Sequence, residues 1–128
     1  MIDHKLLHRR FMFDTTALVA ALTPGSKELD AHRFAELFDA ILSHGRTLLI
    51  AAPSLAELLR KPETNDLPRR AGIIVVPFDS RAARTLAERL PLAAITQAKL
   101  SGAPSNYIKY DAMIVACAIR HHADCLVT

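Results

Sequence analysis

Three acidic residues stand where a carboxylate can do chemistry: Asp14, Glu57 and Asp111. Asp14 closes an apolar Phe11-Met12-Phe13 run, Glu57 lies in Pro53-Ser54-Leu55-Ala56-Glu57-Leu58, and Asp111 precedes an unbroken apolar stretch, Ala112–Ile119. Taken singly, each has a plain structural job. Asp14 and Asp111 are good helix N-caps, a role worth about 1 kcal/mol. Ser54 and Glu57, three positions apart, match a capping box in which the Glu returns to the N-cap amide. Helical spacing also turns Glu57 away from Leu55, Leu58 and Leu59 and toward solvent. Taken together, the three ask for a cation. Ionised carboxylates about 5 Å apart repel by roughly 3 kcal/mol per pair at an effective dielectric near 20, more than helix dipoles offset. All-oxygen ligation with water in the remaining positions suits Mg²⁺ or Mn²⁺, and such an ion acidifies water and holds a phosphodiester for in-line attack.

Local patterning supplies the elements that would gather these acids. His8–Phe13 reads as a strand, followed by a helix over Thr15–Leu22 that Thr23-Pro24-Gly25 closes. From Ser26 to His44, the residues Phe34, Leu37, Phe38, Ile41 and Leu42 form the stripe of an amphipathic helix, and Gly45 stops it. Thr47–Ala51 and Ile73–Val76 are short continuous apolar runs, as strands buried on both faces of a parallel sheet should be. A helix follows each: Leu55–Arg60 after Pro53-Ser54, and Ser80–Leu90 capped by Asp79. Lys61–Arg70, polar and with two prolines, reads as a surface loop. Leu92–Leu100 reads as helical and Ser101-Gly102-Ala103-Pro104 as its breaker. Ala112–Ile119 has no polar face and must be buried, Arg120-His121-His122 give its C-terminus the cations a helix dipole favours, and Asp124–Thr128 begins another strand. Strands alternating with helices predict a three-layer α/β/α sandwich on a mostly parallel sheet, in which ligands bind at the carboxyl ends of the strands. Acids at the N-termini of helices are then all delivered to that edge.

Composition sets the outer bounds. A chain of 128 residues, 51% hydrophobic and 23% charged, fits one domain spanning 1–128, and no apolar run approaches the roughly 20 residues needed to span a bilayer. The net charge of +3, carried mostly by arginines in small groups such as Arg9/Arg10 and Arg69/Arg70, permits a polyanionic partner without demanding one. Cys117 and Cys125 lack zinc-finger spacing and read as free thiols of a reducing cytoplasm. None of the six histidines falls in a His-Glu-x-x-His spacing or pairs with a nucleophile. A phosphatase or receiver-like domain would use Asp14 as nucleophile, but such phosphatases place a second Asp where this chain has Thr16.

The segments Phe13-Asp14-Thr15-Thr16-Ala17-Leu18, Pro53-Ser54-Leu55-Ala56-Glu57-Leu58, and Tyr110-Asp111-Ala112 with its apolar helix through Ala123-Asp124-Cys125-Leu126-Val127-Thr128 resemble the successive acidic motifs of the PIN domain. The last of these is the most specific, and the likeness runs from the first strand to the final residue. The resemblance implies a metal-dependent nuclease, most often a ribonuclease, and at this length one similar to the VapC-type toxins of prokaryotic toxin–antitoxin pairs. It implies that Asp14, Glu57 and Asp111 ligate Mg²⁺ or Mn²⁺ and activate the attacking water, with Thr16 and Thr128 in supporting roles. It further implies an RNA substrate, a cognate antitoxin and a homodimer; no membrane partner is expected, since no apolar run is long enough to span one. The family's fourth acid normally follows the position of Thr128 by one or two residues. Asp124 precedes its strand and is not that acid, so the expectation is a C-terminally truncated domain without its last strand and closing helix. A PIN-like interaction module that no longer cuts, its acids serving only as caps, is the alternative.

Overall fold

The computed structural model describes residues 9–23, 25, 30–89 and 105–128, with side chains from 111 onward in the last stretch. Four strands, β1 (Arg10–Phe13), β2 (Thr47–Ala51), β3 (Ile73–Val76) and β4 (Cys125–Val127), form one parallel sheet in the order β3-β2-β1-β4. Side chains alternate across a strand, and the core divides accordingly. Phe11, Phe13, Leu48, Ile50 and Ile73 pack on one face, and Met12, Leu49, Ala51 and Val76 on the other. Helices cover both faces, as the continuous apolar strands require. The first face meets α1 (Thr15–Leu22) and α2 (Ala31–Ser43) through Leu18, Phe38 and Ile41; the second meets α4 (Ser80–Arg89) and α5 (Ser105–Arg120) through Ala82, Ile114 and Cys117. The expected α/β/α sandwich is the observed one.

A seven-residue helix, α3 (Ala52–Leu58), leaves β2 without an intervening loop and packs against both α1 and α5. It starts earlier than the capping-box spacing predicts, because Pro53 is well placed in a first turn, where its missing N–H would have no partner anyway. Ser54 therefore lies inside the helix, fully buried, and makes no cap. A second correction concerns Asp111. The helix expected to start after it begins at Ser105, which puts Asp111 in the interior of α5 and removes its capping role.

Lys61–Arg70 is more ordered than a solvated loop. Two single 3-10 turns, Pro62–Thr64 and Leu67–Arg69, bury Leu67 and Thr64, and the Thr64 hydroxyl donates to the carbonyls of Leu58 (2.7 Å) and Lys61 (2.8 Å). Asp79 caps α4 as its sequence position predicts, accepting from the Ala82 amide at 2.8 Å. Both cysteines are free, Cys117 buried and Cys125 half-buried. The helix expected over Leu92–Leu100, with its breaker, lies outside the described residues, as does the start of the long amphipathic stretch, residues 26–29.

Candidate active site

The strand order reverses direction at β1: the chain proceeds from β1 to β2 and β3 on one side, then places β4 on the other. Such a switch point opens a crevice at the carboxyl ends of the two diverging strands. Asp14 follows β1 directly into that position, and its amide donates to the Val127 carbonyl of β4 at 2.9 Å. Its carboxylate caps α1, Oδ1 accepting from the Ala17 amide at 2.8 Å. The cap fixes the side chain by a local bond that any N-terminal Asp makes. The surroundings are less ordinary. Burial pushes the Asp14 carboxyl above its ordinary pKa, the Ala17 N–H pulls it back, and the negative charge of Asp111 raises it again.

Asp111 therefore stands within electrostatic reach of Asp14, although 97 residues separate them in sequence. It is exposed and sits mid-helix, where aspartate is a weak helix former because its side chain competes for backbone groups. Glu57 rides on α3, the helix that touches both α1 and α5, so all three acids lie on mutually contacting elements. Its carboxylate is exposed, as the spacing predicts, and pairs with Arg60 one turn on at 3.8 Å. The structure thus brings Asp14 and Asp111 into interaction and leaves Glu57 turned along its own helix. Among the described residues, no three of His, Cys, Asp and Glu form a group close enough to hold a metal ion.

The two threonines fall beside Asp14 by different routes. Thr16 is exposed in the first turn of α1, and Thr128 lies one step past the Phe13–Val127 pair, level with Asp14 at the end of β4. A further pair was not singled out by sequence reasoning. Thr15 Oγ1 and Ser54 Oγ are 2.9 Å apart, joining the residue after Asp14 to the residue one turn before Glu57. The available signal was a hydroxyl residue flanking each of two acids, which the capping-box pattern absorbed.

A family model described as PIN domain matches residues 11–128. The chain belongs to the PIN domain family. Comparison with curated proteins finds no match. Among solved structures, a chain of "Crystal structure of VapBC2 from Rickettsia felis bound to a DNA fragment from their promoter" is similar in fold, with a TM-score of 0.61 and 20% identity over 93% of this chain and 86% of that one. PIN domains are generally nucleases that use divalent metal ions. The donors of this PIN domain fit such an ion in chemistry: a half-buried carboxylate, held above its ordinary pKa partly by a second carboxylate, is an all-oxygen pair whose repulsion a hard cation relieves. No helix among the described residues of this PIN domain is long and apolar enough to cross a membrane.

Proposed function

We propose that this PIN domain is a Mg²⁺- or Mn²⁺-dependent endoribonuclease of the VapC type, the toxin of a toxin–antitoxin pair. Asp14, Glu57 and Asp111 would hold the ion, with Thr16 and Thr128 in support. The observation that carries the reading is the place of Asp14: half-buried directly after β1 at the switch point of the sheet, with its amide bonded to β4 and the Asp111 charge acting on it from α5. When bound, Mg²⁺ or Mn²⁺ supplies an acidified water and neutralises charge developing on the phosphodiester. Asp14, fixed by its backbone bond to β4 and its cap on α1, orients that site at the mouth of the crevice. Thr16, exposed in the first turn of α1, and Thr128, exposed at the end of β4, would supply hydroxyls to it.

Arginine forks suit the RNA backbone and position it without reading sequence. Membership of the PIN family together with likeness to a VapBC2 chain supports an antitoxin partner. A homodimer and a cytoplasmic setting complete the proposal. The rival, an interaction module that no longer cuts, is favoured by the separation of Glu57 from the other two acids.

Cleavage of pooled cellular RNA with Mn²⁺, beside EDTA and Asp14→Asn controls, tests the reading. Metal-dependent cutting that the variant loses supports it; cutting that persists in EDTA or in Asp14→Asn overturns the assigned roles.

A further inference from the structure

The arginine groups Arg9/Arg10 and Arg69/Arg70, far apart in sequence, come together in the fold and take no part in the candidate active site. Because all four strands are parallel, their amino ends share one edge of the sheet, opposite the edge that carries Asp14. Arg10 opens β1 level with Thr47, and Arg46 directly precedes β2. The approach to β3 runs alongside: the Gly72 carbonyl accepts from the Leu48 amide at 2.8 Å, and the Arg70 carbonyl from the Ile73 amide at 3.2 Å. We propose that this arginine edge binds the phosphodiester backbone of a nucleic acid, as a surface separate from the acidic crevice. The length of β1 holds the two apart by about 13 Å.

Arg9, Arg69 and Arg70 are exposed, and Arg10 and Arg46 half-buried. The ion pairs among the described residues join His32 to Glu36, Arg33 to Asp30, Arg60 to Glu57 and Arg120 to Asp79, so none of them neutralises this edge. Three acids stand near it without pairing with a guanidinium. Asp124 accepts from the Arg10 amide at 2.7 Å, and Glu63 and Asp66 line a hollow with Arg70. Covering the core accounts for part of the cluster: the Arg46 guanidinium lies over the Phe11 ring at 6.0 Å and that of Arg70 over Phe38 at 5.4 Å. Such a contact uses the flat face of the guanidinium and leaves its N–H rim for an acceptor, so the ring also holds the cation in place. Arg9 and Arg69 make neither contact. Neighbouring strands lie about 4.8 Å apart, so arginines at the starts of β1, β2 and β3 spread over about 10 Å. A duplex carries a charge every ~1.7 Å of its axis and presents several phosphates to such a stretch, and the planar fork grips phosphate oxygens in pairs. An extended acidic peptide offers at most one carboxylate per ~3.3 Å and matches that density less well.

The test is the salt dependence of binding, followed by anisotropy of a labelled DNA duplex and a labelled single-stranded RNA. EDTA is present throughout, so nothing is cut by a metal site and the result stands whether or not the acidic crevice cleaves RNA. The wild type is expected to bind at least one probe, with log Kd rising linearly with log salt concentration. Arg9→Gln/Arg69→Gln is expected to lower that slope by about 1.8 on the duplex or about 1.4 on the single strand, as each phosphate contact contributes about 0.9 or 0.7. Arg33→Gln/Arg84→Gln removes the same charge from α2 and α4 and is expected to keep the wild-type slope. All four residues are exposed, so the fold is not at stake. Binding of one probe alone supports the inference and identifies the nucleic acid. No binding of either probe at low salt, an unchanged slope in Arg9→Gln/Arg69→Gln, or an equal fall in Arg33→Gln/Arg84→Gln would overturn it. Displacement by polyglutamate as effective as by unlabelled nucleic acid would also overturn it, since the edge would then read charge alone.

Discussion

Asp14 carries two roles that substitution can separate. Asparagine caps a helix as well as aspartate does but brings no charge, whereas alanine loses the cap. In EDTA, Asp14→Asn is therefore expected to melt at or above the wild-type temperature, since it removes a carboxylate that burial and Asp111 both oppose. Asp14→Ala is expected to lose about 1 kcal/mol, roughly 4 °C in a domain of this size. Thermal melts of the two variants side by side check this; an Asp14→Asn protein that melts as low as Asp14→Ala would mean that charge, not capping, holds the site. The pH dependence follows with definite signs. Because the folded pKa of Asp14 is raised, its ionisation costs stability as pH climbs from the unfolded value through the raised folded one. Asp79 works oppositely: the Ala82 amide, then the charges of Arg120 and His121, depress its pKa. Its contribution is present above the unfolded value and lost as pH falls through the folded one. Melting in EDTA from pH 3 to 7 should show Asp14→Asn gaining on the wild type as pH rises, and Asp79→Asn losing to it.

At the scale of elements, the sequence-legible parts are those whose signal is local. Thr15–Leu22, Thr47–Ala51, Ile73–Val76 and the Asp79 cap follow from apolar runs, stop signals and a cap residue within a few positions. Two starts differed: α3 begins at Ala52, where Pro53 sits in its first turn, and α5 begins at Ser105, so that neither Ser54 nor Asp111 is the cap its spacing suggested. One junction shows local strain most directly. Gly72, before β3, adopts φ of +88°, and a Cβ there would stand 3.0 Å from Leu42 Cδ2 and 3.2 Å from the Arg46 carbonyl oxygen. Gly72→Ala is expected to cost about 1–3 kcal/mol, combining the left-handed penalty with a backbone clash. Denaturant unfolding with an unchanged m-value and a lower midpoint checks it.

For the whole molecule, stability rests on a sheet buried between two helical layers, and β2 lies inside it with Leu48, Leu49 and Ile50 fully buried. Leu49→Ala should cost 2–5 kcal/mol, the range for a buried leucine whose cavity cannot collapse. Equilibrium unfolding measures it. Ligand linkage acts at the same scale, because an ion that binds only the folded chain raises Tm with concentration. Saturating Mn²⁺ is expected to raise the wild-type Tm by several degrees, EDTA to reverse the rise, and Asp14→Asn to abolish it. An equal rise in Asp14→Asn would place the ion elsewhere.

The sequence by itself determined the alternation of strands and helices, the parallel sheet that continuous apolar strands demand, and the resemblance to the PIN family. These are properties of short windows, where periodicity and residue type are enough. Only the tertiary structure decided which acid meets which. The Asp111 charge acts on Asp14 across 97 residues of sequence; Glu57 pairs with Arg60 on its own helix; and Ser54, read as a cap, is a buried partner of Thr15. Each outcome depends on the relative placement of elements tens of residues apart, and that placement is set by packing two core layers at once, which no local pattern encodes.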